Sequence, residues 1–428
     1  MANIMAKLAI NGGEPVRKTP FPVYVTIGNE EKRAVMEVLD STVLSKYLGT
    51  WSPDFYGGPK VRQLEQNWAQ YFGIKHAVSV NSATSGLYAA VGAVGVGPGD
   101  EVIVSPYTMT ASATAALVYG AIPVFADIDP QIFCLSPESI EKCITPDTKA
   151  IIVVDLFGHP ADMDEIMEIA RDHDLVVIED AAQAPGAKYN GRYAGTLADI
   201  GVYSLNYHKT IHCGEGGVVV TENDDFAERL QLIRNHAEVV VKNKGVKNLV
   251  NMIGFNYRMT EIEAAIAIEQ LKKLEKLLIP RIKAAEYLTR HLSEFQGIVS
   301  PHVRSDVRHG YYVYPIIYHA EKVGIPREKF VAALNAEGIP MGEGYVEPLY
   351  LEPCYQLKIA FGKDGFPFTY PKYKGNVSYS PGICPVTEKM YYEELMLTNI
   401  CQANITQLDL DDFIAGFQKV LKNVKNIV

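Results

Sequence analysis

A lysine and an aspartate near the middle of the chain are the residues best suited to carry chemistry. Lys209 lies in the run from Ser204 to Thr210, shortly before a glycine-rich turn, and Asp180 follows an apolar run. A lysine amine can form a Schiff base, and a carboxylate can keep a pyridine nitrogen protonated so that the ring accepts electrons. The pair therefore indicates pyridoxal phosphate (PLP) chemistry, although a lone loop lysine is more often simply solvated.

A run of small polar residues could hold the phosphate of such a cofactor. Ser82, Ala83, Thr84 and Ser85 follow a short apolar run and precede a helical segment. Free backbone N–H groups and the positive dipole at a helix start attract phosphate. An ordinary helix N-cap fits the same residues equally well. A P-loop is excluded because no Gly-Lys-Ser/Thr follows.

Other polar residues near Lys209 and Asp180 allow more than one interpretation. Asp180 itself could cap the following turn, and Gln183, three residues later, could bind the same ligand. His208 could act as an acid or base, but such a histidine more often orients a neighbour or packs. The turn from Gly214 to Gly217 is typical of a tight entry into a buried strand.

Alternating strands and helices predict an α/β fold that would position these residues. Seven apolar runs do not alternate in polarity, as expected for strands covered by helices on both faces. We predict strands at residues 77–80, 101–105, 123–127, 150–155, 175–179, 200–204 and 217–221. Repeated βα units favour a mostly parallel seven-stranded sheet, with ligands at the carboxyl ends of its strands.

The pattern changes after a long helical stretch, residues 260–278, which ends at Pro280. We predict an N-terminal arm at residues 1–30, a large PLP-binding α/β domain at 31–279 and a smaller α+β domain at 280–428. Two domains suit a chain of 428 residues.

Composition excludes several other classes of protein. The hydrophobic content of 48% and charged content of 21% are ordinary for a globular protein. A net charge of -10 argues against general nucleic-acid binding. The six cysteines include no Cys-x-x-Cys pair, so no metal site is predicted. No signal peptide or membrane span is evident, and the reducing cytoplasm is the expected location.

Nine stretches, in order along nearly the whole chain, carry a family resemblance. The chain resembles the DegT/DnrJ/StrS family of PLP-dependent sugar aminotransferases, which have the fold-type-I (aspartate aminotransferase-like) fold. The matching stretches are residues 58–61, 81–87, 99–104, 123–128, 177–183, 204–217, 254–259, 348–351 and 384–388.

The resemblance implies a role for each of nine residues toward PLP. Lys209 would form the internal aldimine and later move the substrate proton, with a pyridoxamine phosphate form between the two half-reactions. Asp180 would bind the pyridine nitrogen, and the remaining seven would hold the ring or the phosphate. These seven are Ala83, Thr84, Met109, Gln183, Ser204, Asn256 and Arg258. Because Asn256 and Arg258 would come from the other subunit, a homodimer with shared active sites is implied.

Two positions depart from the family pattern. Met109 stands where an aromatic residue usually stacks on the ring, and a thioether packs there more softly. Ala83 replaces the usual glycine before the phosphate threonine. Neither change removes a catalytic group. Counting from Ser204 to Gly214 without a gap places Lys209, and not His208, at the position that is histidine in related sugar dehydratases, which favours transamination.

The expected reaction moves an amino group from glutamate or glutamine to a keto sugar, with a nucleotide-linked sugar favoured. Three alternatives stay open: a keto-cyclitol (inosose-type) aminotransferase, a PLP-dependent dehydratase or aromatising relative, and a PLP-binding dimer without enzymatic activity. The opening residues 8–17 and the long aromatic stretch 356–377 resemble the cyclitol branch. We expect substrate contacts from residues 41–58 and 343–377.

Overall fold

A computed structural model describes residues 7–427 of the chain. Fourteen strands belong to three sheets of seven, four and three strands. In chain order they are β1 (His76–Val80), β2 (Glu101–Val104), β3 (Ile122–Phe125), β4 (Thr148–Val154), β5 (Val176–Asp180), β6 (Lys188–Tyr189), β7 (Arg192–Tyr193), β8 (Ile200–Ser204), β9 (Gly217–Thr221), β10 (Ile298–Val299), β11 (Val307–Arg308), β12 (Tyr314–Tyr318), β13 (Gly342–Glu343) and β14 (Leu395–Thr398).

Fourteen α-helices within residues 7–427 surround these sheets. They are α1 (Asn29–Ser41), α2 (Pro59–Phe72), α3 (Ala83–Val94), α4 (Ala111–Val118), α5 (Pro137–Cys143), α6 (Met163–Asp172), α7 (Asp224–Arg234), α8 (Ala237–Lys244), α9 (Glu261–Leu292), α10 (Ala320–Val323), α11 (Arg327–Ala336), α12 (Pro353–Gln356), α13 (Pro385–Lys389) and α14 (Gln407–Lys422). None of the helices within residues 7–427 is both long and apolar enough to cross a bilayer.

The seven-stranded sheet confirms the predicted α/β architecture. Its strand order is β1-β9-β8-β5-β4-β2-β3. Strand β9 runs antiparallel to both of its neighbours, whereas every other neighbouring pair is parallel. All seven predicted strands are present, two with the predicted ends and five with an end shifted by one or two residues, because strands buried on both faces have a clear apolar signal.

Helix α3 lies unusually close to the sheet, and this places its first turn at the carboxyl edge. Gly86 makes the approach possible, since an added Cβ there would lie 2.9 Å from Val202 Cγ1 and 3.0 Å from Val219 Cγ2. A side chain at this position would push the helix away from the sheet. The glycine thus fixes where the helix start points.

The predicted helix end at Pro280 is wrong, because α9 continues through the proline to Leu292. An internal proline costs a helix about 3 kcal/mol. Burial on both sides of it opposes that cost: Leu274 packs in the core beside the large sheet, and Leu288 packs in the core of the small domain. The predicted boundary at 279/280 therefore falls inside one continuous helix, and that helix joins the two domains.

The small domain contains the four-stranded sheet β10-β12-β14-β13 together with α11 and α14. The arm packs against this domain rather than projecting from the molecule. Leu8 is buried in its core, and the Ala9 N–H donates to Glu337 Oε1 at 2.8 Å. The predicted arm ends where α1 begins at Asn29, while its residues 1–6 lie outside the described part.

Residues 352–383, which we call the edge cover, pack over β3, the outermost strand of the large sheet. The Tyr379 hydroxyl donates to the Pro123 carbonyl at 2.7 Å, and the Tyr373 hydroxyl donates to Glu101 Oε1 at 2.7 Å. Glu101 begins β2, so the cover extends toward the amino ends of the parallel strands. The substrate contacts expected from residues 343–377 stay a prediction, and the cover itself does not line the cavity described below.

The preceding segment, residues 343–351, reaches the carboxyl edge of the sheet. The Leu349 N–H donates to the Pro106 carbonyl at 2.9 Å, just beyond the end of β2. Tyr345 accepts a hydrogen bond from Gln183 at 2.9 Å. The region proposed for substrate contacts thus divides into a part beside the site and a part remote from it.

Candidate active site

A cavity of about 180 Å³ opens at the carboxyl ends of β5 and β8, beside the first turn of α3. Strand ends and a helix start meet there because the βα units are parallel. Seven residues that the sequence singles out line this cavity: Ala83, Thr84, Met109, Asp180, Gln183, Ser204 and Lys209.

Asp180, the last residue of β5, supplies a buried carboxylate. It accepts hydrogen bonds from Ser112 Oγ at 2.8 Å and from the Ala182 N–H at 3.2 Å. Burial raises the pKa of Asp180, while these two donors and the charge of Lys209 oppose the rise. Such a carboxylate is suited to hold a protonated ring nitrogen. Ser112 was missed by sequence reasoning, since a serine inside an alanine-rich helix carries no distinguishing signal.

Lys209 lies in the loop between β8 and β9, held by backbone hydrogen bonds. Its N–H donates to the Asn206 carbonyl at 2.9 Å, and Leu205 N–H donates to Gly216 O at 2.9 Å. Burial lowers the pKa of Lys209 to about 8, although Asp180 acts in the opposite direction. A sizeable fraction of the amine is therefore neutral, and so nucleophilic, near pH 7–8.

The first turn of α3 forms the candidate phosphate end. Ser82 is the N-cap, and its Oγ accepts from the Ser85 N–H at 3.0 Å. The backbone N–H groups of Ala83 and Thr84 find no acceptor within residues 7–427. The two interpretations of this run are thus compatible, because Ser82 caps the helix while the next two N–H groups stay available to an anion.

Gly217 keeps that turn close to the sheet. An added Cβ there would lie 2.8 Å from the Ala83 nitrogen. The predicted tight turn into β9 is present, and its glycine is needed for the close approach. Ser204, at the end of β8, lines the same side of the cavity and is buried.

Gln183 is held at both ends of its side-chain amide. Its Oε1 accepts from the Phe157 N–H at 2.7 Å, and its Nε2 donates to the Tyr345 hydroxyl at 2.9 Å. Phe157 has a φ of 59°, which is strained for a non-glycine residue. One N–H of the amide remains for a ligand. Tyr345 was missed because it lies 162 residues away along the chain.

Met109 is exposed at the cavity, and its sulfur contacts the start of α4. The Ala111 N–H donates to Met109 Sδ at 3.1 Å. His208 also lines the cavity, with its ring 6.2 Å from that of Tyr312. Burial and the charge of Lys209 lower the pKa of His208, which favours a neutral imidazole.

Asn256 and Arg258 do not line the cavity of their own chain. Arg258 Nε donates to Asn256 Oδ1 at 2.8 Å, and its Nη1 donates to Asn235 Oδ1 at 3.1 Å. Their segment lies beside the end of β1, where the Asn81 N–H donates to the Tyr257 carbonyl at 2.9 Å. The structure therefore brings together seven of the nine predicted residues and leaves these two outside.

The residues present fit PLP. The unpaired N–H groups of Ala83 and Thr84 suit a phosphate, and buried Asp180 suits a protonated ring nitrogen. The amine of Lys209 makes no hydrogen bond or ion pair to another residue within 7–427, which leaves it available to react with an aldehyde.

A family model described as the DegT/DnrJ/EryC1/StrS aminotransferase family matches residues 26–378. Among curated proteins, the chain is 36% identical to GDP-perosamine synthase of Caulobacter vibrioides over 348 residues, which cover 79% of this chain and 90% of that protein. It is 33% identical to L-glutamine:2-deoxy-scyllo-inosose aminotransferase of Streptomyces lividus over 431 residues, covering 97% and 98% of the two chains.

Among solved structures, an aminotransferase from Psychrobacter cryohalolentis superimposes with a TM-score of 0.81 at 28% identity. The match covers 95% of this chain and all of that chain. The likeness thus extends over nearly the whole of both chains.

Proposed function

The chain belongs to the DegT/DnrJ/EryC1/StrS aminotransferase family, and we propose that it uses PLP to transfer an amino group from glutamate or glutamine to a keto sugar. The observation that carries this proposal is the juxtaposition of Lys209, Asp180 and the first turn of α3 around one cavity. Each group would serve one step or contact: Lys209 would transfer the proton, Asp180 would bind the protonated ring nitrogen, and the first turn of α3 would bind the phosphate.

Bound PLP would supply an electron-accepting ring and a carbonyl that condenses with amines. Asp180 would pair with the ring nitrogen and keep it protonated, while Ser112 orients the carboxylate. The N–H groups of Ala83 and Thr84 and the hydroxyl of Ser204 would bind the phosphate. Gln183 would direct its remaining N–H to the ring hydroxyl, since its other polar atoms are engaged.

Lys209 would carry the proton. With PLP and an amino donor bound, its Nζ would remove a proton from the substrate carbon and return it to another atom. A pKa of about 8 suits this task, because an amine of that pKa both accepts and releases protons near neutral pH. The dehydratase alternative is disfavoured, since the residue at this position is lysine.

We further propose a homodimer in which Asn256 and Arg258 complete the phosphate site of the partner subunit. Asn256 is exposed, and both residues lie outside their own cavity. Exposed apolar side chains occur in the same region of the chain and in the loop before α2, as expected of a surface that another copy covers. They include Leu48, Trp51, Leu249, Val250 and Ile253.

For the acceptor, a nucleotide-linked keto sugar stays our first candidate. GDP-perosamine synthase, one of the relatives, is named for a nucleotide-linked amino sugar as its product. A keto-cyclitol is the second candidate, and one observation favours it: the match to the inosose aminotransferase covers 97% of this chain, whereas the match to GDP-perosamine synthase covers 79%. The cytoplasm remains the predicted location.

An absorbance spectrum of the purified protein with PLP tests the proposal. We expect a visible band that disappears when glutamate or glutamine is added and returns when an accepted ketone follows. A panel of nucleotide-linked keto sugars and keto-cyclitols then identifies the acceptor class by which ketones restore the band. A band that ignores both donors would overturn transamination, and no band would overturn the assignment of Lys209.

A further inference from the structure

Tyr312 places the face of its ring against the amine of the candidate catalytic lysine. Lys209 Nζ lies 4.6 Å from the ring centroid, within the range of a cation–π contact. Within the described residues Nζ makes no hydrogen bond or ion pair, so the ring face is a direct contact available to stabilise its charge. None of the roles proposed above uses this tyrosine.

Few other charges face the amine. Asp180, at the end of β5, attracts it from one side. His208 is the neighbouring residue, and its lowered pKa favours the neutral form. Glu215 also lines the cavity, but both of its oxygens accept from Asn206 Nδ2 at 2.9 Å. The ammonium form of Lys209 therefore depends on one carboxylate and one ring face.

The backbone that carries Tyr312 is fastened to the large domain. The Gly310 N–H donates to Gly158 O at 2.7 Å, and the Val313 N–H donates to Phe157 O at 3.4 Å. The close approach needs a glycine, since a Cβ on Gly158, where φ is 93°, would lie 3.1 Å from the Tyr312 nitrogen.

Arg281, buried in α9 just after Pro280, holds the same backbone from the other side. Its Nη1 donates to the Tyr311 carbonyl at 3.0 Å and to the Tyr312 carbonyl at 3.4 Å. Tyr311 has a φ of 48°, a strained value for a residue with a side chain. The ring of Tyr312 is thus presented to Lys209 by a segment with few alternative positions.

We propose that Tyr312 is a positioning residue whose ring face holds the Lys209 ammonium in the cavity and sets its proton affinity. The quadrupole of the ring favours the charged amine over the neutral one. Lys209 would then keep a proton to higher pH than burial alone allows. The contact stands on geometry alone, and its consequence for catalysis rests on the function proposed for Lys209.

Competitive labelling of the cofactor-free protein tests the inference directly. Trace acetic anhydride is applied across a pH series, and acetylation of Lys209 is measured by peptide mass spectrometry relative to exposed Lys149. In Tyr312→Leu, the pH of half-maximal labelling should fall by about one pH unit, as a desolvated cation–π contact predicts. In Tyr312→Phe, which keeps the ring, the midpoint should stay at the wild-type value.

A matched control comes from Tyr207, whose ring lies 5.1 Å from that of His208 but does not cover the Lys209 amine. Tyr207→Leu should leave the labelling midpoint unchanged. Thermal unfolding of each variant identifies one that no longer folds, and Tyr312→Met then replaces Tyr312→Leu, because it removes the ring while filling similar space.

Two results would overturn the inference. An unchanged midpoint in both ring-free variants would show that the ring does not act on Lys209. An equal fall in Tyr312→Phe would assign the effect to the hydroxyl instead. Neither result depends on PLP or on any substrate, so failure here is distinguishable from failure of the proposed aminotransferase activity, which the spectral assay reports.

Discussion

The cavity around Lys209 and the edge cover differ in whether their polar groups are hydrogen-bonded to other residues. In the cavity, the Lys209 amine and the N–H groups of Ala83 and Thr84 have no hydrogen-bond partner within the described residues. In the cover, the hydroxyls of Tyr373 and Tyr379 each donate at 2.7 Å to acceptors on the large sheet. Groups left unpaired are available to a ligand, whereas paired groups contribute to stability. Changes in the two regions should therefore have different consequences.

The largest effect is expected from Lys209→Ala. Removing the amine removes both the attachment of PLP and the proton carrier, so amino transfer should fall by at least about 10²–10⁴-fold. Steady-state transfer from glutamate or glutamine to an accepted ketone measures it. Lys149→Ala, an exposed lysine on β4, is the control and should retain full activity. Normal turnover by Lys209→Ala would contradict the claim that the unpaired groups of the cavity carry the activity.

The second-largest effect is expected from Asp180→Asn. Amino transfer should fall by about a hundredfold, because the neutral amide no longer keeps the ring nitrogen protonated. The affinity for PLP, followed by fluorescence quenching, should fall as well. Ser112→Ala should act in the same direction but less, since it removes only the 2.8 Å hydrogen bond that orients Asp180. If Ser112→Ala proved as damaging as Asp180→Asn, the serine would have to contact the ligand itself.

Without the cofactor, the same lysine should cost stability. The pKa of Lys209 is about 8 in the folded protein and 10.5 in the unfolded chain, so the unfolded chain binds the proton more tightly. The protonated lysine therefore favours unfolding. The resulting loss of folding stability is fully present below pH 8 and disappears as pH rises toward 10.5.

Cofactor-free Lys209→Met should therefore be more stable than wild type by about 2 kcal/mol at pH 7, with the difference shrinking above pH 8. Urea unfolding at several pH values measures it. A pH-independent difference would instead indicate improved packing by the methionine.

The smallest effect is expected in the edge cover. Tyr379→Phe leaves the buried Pro123 carbonyl without its donor, and this should lower the free energy of unfolding by about 1–2 kcal/mol. Amino transfer and PLP affinity should stay at wild-type values, because the cover lies away from the cavity. Tyr392→Phe, an exposed tyrosine, serves as the control and should change neither property. A loss of activity in Tyr379→Phe would show that the edge cover contributes to amino transfer as well as to stability.

Local patterns were sufficient to predict the strands and the candidates Lys209, Asp180 and Gln183, while the resemblance to a known family added Ala83, Met109 and Ser204. Buried parallel strands are continuous apolar runs, and their ends mark the functional edge of the sheet. Asp180 and Gln183 directly follow such a run, and Lys209 lies between two more. The same reasoning failed at Pro280, where burial of both halves of α9 outweighs the local preference to end the helix.

The sequence by itself determined the α/β architecture, the family and the chemical groups that meet at the carboxyl edge, because periodicity and short motifs are local properties. Only the tertiary structure decided which distant groups support them. Ser112 is 68 residues from Asp180, and Tyr345 is 162 residues from Gln183. The ring of Tyr312 reaches Lys209 through contacts between two domains. Pairings of this kind depend on packing across the whole chain, and no local pattern encodes them.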